Sequence, residues 1–261
     1  MFATARRFAA TALPALALSA ALASSPRAES GIDFSAMSDA ERQAFGEAVR
    51  QFLLDNPETV YDALQALQIR REAEQEEAER AVVAQYLGAL HDTSYAWEGG
   101  NPEGDITVVE FLDYRCGFCK RAHPAVKEVL ERDPNVRLIV REFPILGPES
   151  VAAGRMAMAG YRLEPELYPQ LNDALMSHEG ALTETMAYRI ADGVGYDIAE
   201  LKSLANSDEI AREIDKTYQL AEVLEIQGTP TFIVGNQIVR GFQPVDEFLQ
   251  TIAGARRTAS N

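Results

Sequence analysis

Apolar residues recur every three or four positions in the N-terminal third of the chain. The first such stripe consists of Phe45, Val49 and Phe52, and the second of Val60, Leu64 and Leu67. This spacing predicts two amphipathic helices, the second capped by Asn56 with Pro57 in its first turn. From Arg70 to Arg80 charged residues replace the stripe, which predicts a helix exposed to solvent on all sides.

These two stripes are too little apolar sequence to build a good core of their own. A short amphipathic helix needs a tertiary partner, and a helix that is polar all round usually bridges other elements. We therefore predict that residues 31–75 form an arm that makes the protein a homo-oligomer through the six stripe residues. A helical hairpin folded back onto the main domain is the alternative.

The pattern changes to strands after Trp97. A turn cluster at 99–102 leads into the apolar run 106–112, which is typical of a central strand covered on both faces. Residues 116–132 then predict a helix and 136–143 a second strand. Together they predict a right-handed βαβ unit.

The rest of the chain returns to strands only near its end. Residues 149–224 have a helical pattern throughout, and two short strands follow at 231–234 and 237–239. A tight turn at Gly235-Asn236 joins these strands, and a last helix runs from about 244 to 253. The order of elements is therefore βαβ, a helical insertion, then ββα.

The first residues have the features of an export signal. Arg6 and Arg7 precede an apolar, alanine-rich run that ends in small residues, so we predict a signal peptide at 1–23, cleaved after Ala23. A membrane anchor is the alternative, but polar residues and Pro14 interrupt the run. The arginine pair also suggests twin-arginine export, which the surrounding residues match poorly.

Charge excludes one class of partner. Without residues 1–23 the chain has 22 basic and 40 acidic side chains, a formal charge of −18. Phosphate binding needs a positive surface, so we expect no nucleic acid partner.

The only two cysteines lie at the predicted strand-to-helix junction. Cys116 faces a helix N-terminus, whose unpaired amides favour the thiolate that attacks disulfides. Cys119 follows one helical turn later and can resolve a mixed disulfide on Cys116. This motif beside a βαβ pattern is typical of a thioredoxin-like fold, and an exported protein can form disulfides.

Two other roles of the cysteines are the alternatives. A structural disulfide closing so short a loop would stabilise little. A zinc site needs about four ligands, and His91, His123 and His178 are scattered. We expect His123, in the predicted active-site helix, to face solvent.

Glu110 is the one charge in the predicted central strand. It lies six residues before Cys116, so its side chain should point into the core beneath the cysteines, where burial raises a carboxyl pKa. Such a carboxyl can accept the proton that Cys119 must lose. An edge-strand glutamate reaching solvent is the alternative.

Thr229 and Pro230 immediately precede a predicted strand. A cis peptide bond there would present a backbone edge, and in a thioredoxin-like fold that edge faces the cysteines. Residue 229 would then hold a substrate peptide by strand addition. By itself the sequence leaves an ordinary trans proline open.

These motifs together resemble the DsbA family. The run 111–120 around the cysteines and the later 228–232 carry the resemblance, and the arm segment 53–58 is similar to the suppressor-of-copper-sensitivity (ScsC) branch. The resemblance implies an α/β, thioredoxin-like fold with an inserted helical domain and an oligomerising N-terminal arm. The implied domains are an arm at 31–90, a thioredoxin-like domain at 91–148 and 225–257, and an insertion at 149–224.

The resemblance also implies roles for single residues. Cys116 would be the nucleophile, Cys119 the resolving thiol, Glu110 the buried carboxylate and Pro230 a cis-proline. We expect Gly117, Phe118, Thr229 and Pro230 to contact the substrate. No cofactor is expected besides the redox-active Cys116–Cys119 disulfide.

The implied activity is periplasmic disulfide isomerisation or reduction. Its partners would be misoxidised client proteins and a membrane thiol-disulfide electron donor. Oxidase members have Pro-His between the cysteines; Gly117-Phe118 removes that histidine, so we expect a less acidic Cys116 and a less oxidising disulfide. A disulfide oxidase, Cu(I) binding at Cys116 and Cys119, and an adaptor with a vestigial redox domain are the alternatives.

Overall fold

A computed structural model describes residues 36–259; the predicted signal peptide lies outside this range. Its helices are α1 (Asp39–Asp55), α2 (Glu58–Leu90), α3 (Gly117–Arg132), α4 (Pro148–Leu163), a 3-10 turn (Pro165–Leu167), α5 (Tyr168–Ser177), α6 (Glu184–Val194), α7 (Ile198–Ala205), α8 (Asp208–Val223) and α9 (Val245–Ala259). The strands are β1 (Trp97–Gly100), β2 (Ile106–Leu112), β3 (Val136–Glu142), β4 (Thr231–Val234) and β5 (Gln237–Arg240). None of the described helices is long and apolar enough to span a bilayer.

The chain divides into two compact units, of which the first ends at Ala63 and the second begins at Leu64. In the first unit, Ser38 starts α1 with a capping box: its amide donates to Glu41 Oε2 at 2.8 Å and its hydroxyl accepts from the Glu41 amide at 3.4 Å. Asn56 donates from its side chain to the Phe52 carbonyl at 2.9 Å. It therefore closes α1, whereas the sequence predicted a cap for the next helix.

The unit boundary differs from the predicted arm boundary at residue 90. Val83 and Leu90 of α2 are fully buried in a hydrophobic cluster with Phe111, Ile139 and Ile233 from three strands. The last turns of α2 thus belong to the core of the second unit, because their apolar residues cover the sheet. The charged stretch 70–78 is exposed, as the sequence predicts.

The five strands form one sheet in the order β1-β3-β2-β4-β5. β2 and β3 are parallel and connected by α3, which confirms the predicted βαβ unit, and β4 and β5 form the predicted hairpin. The central position of β2 explains its apolar sequence, since both of its faces are covered.

Alternate residues of β2 and β3 face opposite sides of the sheet. Ile106, Val108 and Leu112 pack in a cluster with residues of α3 and α9, among them Cys119. Val109 and Phe111 pack on the other side with residues of α2 and α8. We call the first side the cysteine face.

The sequence predicted a turn at 99–102, which is wrong for Gly99 and Gly100, because residues 97–100 lie in a strand. They form β1, an edge strand that pairs antiparallel with β3 from Trp97↔Val140 to Gly100↔Arg137. The glycines serve close packing: a Cβ at Gly99 would lie 2.1 Å from the Trp97 ring, and Gly100 has a φ of +67°.

The last helix extends beyond its predicted end at residue 253. Arg256 lies on this extension and donates to Asp133 at 2.5 and 3.0 Å and to Asp105 at 2.8 Å. These ion pairs tie the end of α9 to the loop before β2 and to the loop after α3, a contact that local periodicity does not reveal.

Candidate active site

The cysteine motif lies between β2 and α3. Cys116 is the N-cap of α3, with φ −75° and ψ 116°, and its amide donates to the Asp113 carbonyl at 3.0 Å. Cys119 lies in the first turn of the helix and is fully buried. The turn after the central strand β2 therefore places Cys116 at the positive end of a helix.

Asp113 holds this turn in place. Its buried carboxylate accepts from the Arg115 amide and the Ser150 hydroxyl, each at 2.8 Å. It also accepts from the amides of Ile145 and Leu146, at 2.9 and 3.0 Å. Asp113 was not predicted from the sequence, although an aspartate two residues before an amide in a turn is a recognisable Asx pattern.

The thiol of Cys116 is strongly acidic. The pKa of Cys116 is lowered to about 5, chiefly by a hydrogen bond from Cys119 and against the opposing effect of burial. The Thr229 hydroxyl and the amides of Cys119 and Phe118 at the helix end contribute to this lowering. The site therefore holds a thiolate at neutral pH, ready for nucleophilic attack.

Cys119 has the opposite character. Its hydrogen bond to Cys116 raises the pKa of Cys119 far above the usual thiol value, and burial and the charge of Glu110 raise it further. The Asp113 amide opposes this shift. The two thiols therefore differ as a nucleophile and a proton-retaining resolving group should.

Glu110 lies on the cysteine face, and its side chain is only 3% exposed. It belongs to the central strand β2, between β3 and β4, so the alternative of an edge-strand glutamate is wrong. Burial raises the pKa of Glu110 to about 8. A carboxyl with this pKa can exchange a proton near neutral pH.

Thr229 lies directly against Cys116. The Thr229–Pro230 peptide bond is cis, as the resemblance implies. The Cys116 thiol donates to the Thr229 carbonyl at 3.1 Å across 113 residues of sequence. Thr231 continues into β4 beside Phe111 of β2, which fixes this loop next to the cysteine turn.

The two residues between the cysteines differ in what they present to solvent. Gly117 is exposed, with open space around its Cα. The Phe118 ring is 56% exposed, and the Arg121 guanidinium stacks on it at 4.2 Å from the ring centroid. An apolar ring thus stands beside the reactive sulfur and is accessible to a polypeptide.

A second buried carboxyl, which the sequence analysis missed, lies at the end of β3. Glu142 Oε1 accepts from the Tyr114 hydroxyl at 2.8 Å and from the Tyr168 hydroxyl at 2.6 Å. Burial raises the pKa of Glu142 to about 8, against the effect of these hydrogen bonds. Its position could have indicated a role, because Glu142 is a charged residue at the end of an apolar strand, much as Glu110 is a charged residue within β2.

We expected His123 to face solvent, and this was wrong. Its ring nitrogen lies 2.6 Å from Asp173 Oδ1 of α5, which also binds Lys127 Nζ at 2.8 Å. Lys120 donates to the His178 carbonyl at the end of the same helix. These contacts dock α3 onto the inserted helices. Within residues 36–259, no cluster of three or more His, Cys, Asp or Glu side chains could hold a metal ion.

Two family descriptions match this chain. The DSBA-like thioredoxin domain matches residues 107–253, more than half of the chain, and includes both cysteines and Pro230. The copper resistance protein ScsC N-terminal domain matches residues 41–74, which contain the apolar stripes of α1 and α2.

Solved structures share the fold. A thioredoxin-like oxidoreductase from Silicibacter pomeroyi DSS-3 is 39% identical, with a TM-score of 0.62, covering 65% of this chain and 96% of that chain. A linker-deletion mutant of Proteus mirabilis ScsC is 22% identical, with a TM-score of 0.63, covering 85% and 98%.

Among curated relatives, the chain is similar to Na⁺/H⁺ antiporter NhaA 3 of Salinispora tropica, with 26% identity over 160 residues and 61% of this chain. The chain spans about a quarter of that relative's length, 24%.

Proposed function

The chain belongs to the DSBA-like thioredoxin domain family, and from this premise we propose that it is a protein disulfide isomerase or reductase. Family and fold support a thiol-disulfide oxidoreductase with an ScsC-type N-terminal segment. The observation that carries the proposal is the placement of an acidic Cys116 thiol against Thr229, beside a proton-retaining Cys119.

The reaction begins with attack of the Cys116 thiolate on one sulfur of a client disulfide. The new bond joins Cys116 to the client, and the other client sulfur leaves as a thiolate. In isomerisation this client thiolate attacks a different client disulfide, and a client thiolate finally displaces Cys116. No electrons are gained or lost overall.

Resolution by Cys119 makes the reaction a reduction of the client. Cys119 gives its proton to the Glu110 carboxylate and attacks the Cys116 sulfur, which releases the client as a thiol and leaves a Cys116–Cys119 disulfide. A membrane thiol donor must then supply two electrons and two protons to restore the dithiol. Glu110 is suited to this transfer because its pKa of about 8 lies close to neutral pH.

Client binding would use the surface around the sulfur. Phe118 supplies an exposed apolar contact, and the Thr229-Pro230 edge supplies backbone groups. A groove of about 530 Å³ adjoins this surface, with Arg115 and Lys120 at its cysteine side and residues 176–182 opposite. We propose that unfolded segments of clients lie across Phe118 and this groove.

The arm supports an oligomer. The stripe residues are exposed in the single chain, from 39% for Val49 to 60% for Leu64. Exposed apolar stripes of this kind usually mark protein contacts. We propose that they associate with the same stripes of other copies, which would bring several Cys116 sites to one client.

The export-like N-terminus and the cysteine pair support a periplasmic location, where disulfides persist. No cofactor besides the Cys116–Cys119 disulfide is needed for this chemistry. The oxidase alternative uses the same residues but starts from the disulfide form.

The test is the recovery of activity by a substrate protein with scrambled disulfides, with wild type, Cys116→Ser and Cys119→Ser compared. We expect recovery with reduced wild type and none with Cys116→Ser. The redox state of the cysteines in the native compartment, measured by alkylation and gel shift, distinguishes an isomerase or reductase from an oxidase. Mostly oxidised protein would contradict isomerisation, and tight Cu(I) binding without recovery would favour a copper-binding role.

A further inference from the structure

One carboxylate oxygen of Glu142 accepts hydrogen bonds from both the cysteine loop and the inserted helices. Oε1 accepts hydrogen bonds from Tyr114, two residues before Cys116, and from Tyr168, the first residue of α5. The two tyrosine hydroxyls are 3.3 Å apart. The two donors fix the position of this buried oxygen and offset part of the burial that raises the pKa of Glu142.

Glu142 is also a neighbour of Glu110 on the cysteine face. In the parallel β2–β3 ladder, Glu110 is opposite Val140 and Leu112 is opposite Glu142. The two glutamates therefore point to the same side of the sheet as diagonal neighbours on adjacent strands. Both side chains are 3% exposed, so little water separates their charges.

Two carboxyls in this arrangement do not ionise independently. In a poorly hydrated interior the charge of one disfavours the charge of the other, and the pair titrates as a coupled system. The groups that face Glu142 are Tyr114 and Asp113 from the cysteine loop, Tyr168 from α5 and Glu110 from β2. Within this set the tyrosines stabilise the Glu142 carboxylate, and Asp113 and Glu110 repel it.

This coupling extends to the resolving thiol. The charge of Glu110 raises the pKa of Cys119, so any group that controls ionisation of Glu110 also controls Cys119. The proposed function assigns Glu110 as the proton acceptor for Cys119, and the inference that follows rests on that assignment.

We propose that Glu142 is a positioning residue for proton transfer at Cys119. When it ionises, its carboxylate, held by Tyr114 and Tyr168, repels the neighbouring Glu110 charge and so shifts the pH at which Glu110 releases its proton. Through Tyr168, the inserted helices thereby affect the chemistry of Cys119, which lies outside the insertion in α3.

The experiment isolates the Cys119 step. Reduced full-length protein is mixed with a chromogenic aryl disulfide: attack by Cys116 releases the first aryl thiolate, and attack by Cys119 on the mixed disulfide releases the second. The rate of the second phase is measured against pH. In Glu142→Gln, we expect its midpoint to move to lower pH by about one unit, because the repelling charge is gone.

Tyr168→Phe is the second variant, because it leaves the carboxyl in place. With one donor lost, the Glu142 carboxylate is less stable, so the midpoint should move in the same direction by a smaller amount. Tyr161→Phe is the matched control. Its ring contacts Tyr168 edge-on at 5.6 Å, but its hydroxyl faces the Thr93 carbonyl at 3.5 Å and not Glu142.

Each outcome decides between roles. An unmoved midpoint in folded Glu142→Gln and Tyr168→Phe, with both phases slowed alike, would mean that the cluster is only structural and would overturn the proposal. Glu110→Gln separates the two assignments. If the midpoint persists in Glu110→Gln, the proposed role of Glu110 fails; if it disappears there but Glu142→Gln leaves it unmoved, only the role of Glu142 fails.

Discussion

Thr229 faces the sulfur of Cys116 with two different groups. Its carbonyl oxygen accepts from the thiol at 3.1 Å, and its hydroxyl donates to the thiolate and lowers the pKa of Cys116. One residue can therefore bind the sulfur in either protonation state. The carbonyl favours the thiol and the hydroxyl favours the thiolate, so changing the hydroxyl alone should alter acidity.

Replacing Thr229 by valine should make Cys116 less acidic. The change removes the hydroxyl and keeps the branched shape, so the pH midpoint for alkylation of Cys116 should rise by about one unit. Iodoacetamide reaction rates against pH give this midpoint. Thr217→Val is the matched control, because the Thr217 hydroxyl is buried without a hydrogen-bond partner in the described structure. An unchanged midpoint in Thr229→Val would exclude the hydroxyl as a donor.

Removal of the Cys119 thiol should have a larger effect on the same midpoint. Its hydrogen bond is the largest cause of the low pKa of Cys116, about 5, so Cys119→Ala should move the midpoint upward toward the ordinary thiol value. Cys119→Ser retains a hydroxyl donor and should show a smaller rise. Absorbance of the thiolate at 240 nm provides an independent titration. Equal midpoints in the alanine variant and wild type would contradict this account.

Glu110→Gln should stabilise the protein, with a gain that begins above pH 4.5 and grows until about pH 8. The pKa of Glu110 rises from 4.5 to about 8 on folding, so the folded state opposes its ionisation. This destabilises the wild type as pH increases above 4.5, and the effect is complete above about 8.

The variant should therefore gain stability over this window, on the order of a few kcal/mol at its upper end. Urea unfolding between pH 4 and 9 measures the difference. Glu103→Gln changes an exposed glutamate and is the control. A gain that is the same at every pH would show that burial of the charge is not its cause.

Arg141→Met should weaken the attachment of α2 to the sheet. The fully buried guanidinium donates through Nη2 to the carbonyls of Ala89, Leu90 and Asp92 at 2.7 to 2.8 Å, where α2 ends. Methionine leaves these buried carbonyls unpaired, at a cost of roughly 3 kcal/mol. Urea unfolding measures this loss, and Arg212→Met removes the same charge from an exposed position of α8. Equal losses in the two variants would argue against the contact.

Phe52→Asp should dissociate the proposed oligomer. Phe52 is 56% exposed and lies on the apolar stripe of α1, so a carboxylate there would be buried between copies. Leu54→Asp is a matched control: Leu54 is 59% exposed but lies two residues away, on the opposite side of the helix. Light scattering after size exclusion gives the mass. If wild type is monomeric, or if Leu54→Asp dissociates it equally, the stripe is not the interface.

The local elements were predictable because each depends on neighbouring residues. Continuous apolar sequence identified β2, and the spacing of the cysteines placed them at the start of α3. The predicted thioredoxin-like fold with inserted helices is confirmed by the family match and by the solved structures. β1 was missed because its two glycines indicate a turn when the neighbouring strand β3 is unknown.

Charged residues within strands show what local sequence patterns cannot predict. Glu110, Arg141 and Glu142 occur in runs that otherwise predict buried strands. Only Glu110 was assigned a role from sequence, because the nearby cysteines gave it a chemical purpose. Arg141 and Glu142 are buried because their partners, the end of α2 and Tyr168 of α5, come from distant segments.

Spacing along the chain was enough to predict the βαβ unit, the inserted helices, the final ββα unit, the position of the cysteines at a helix end and the family. What surrounds the sulfur depends on the tertiary structure. Thr229 reaches Cys116 only because β4 pairs with β2, and Tyr168 reaches Glu142 only because the inserted helices pack on the cysteine face. Acidity depends on such contacts because donors and charges act through space over a few ångströms, whatever their separation in sequence.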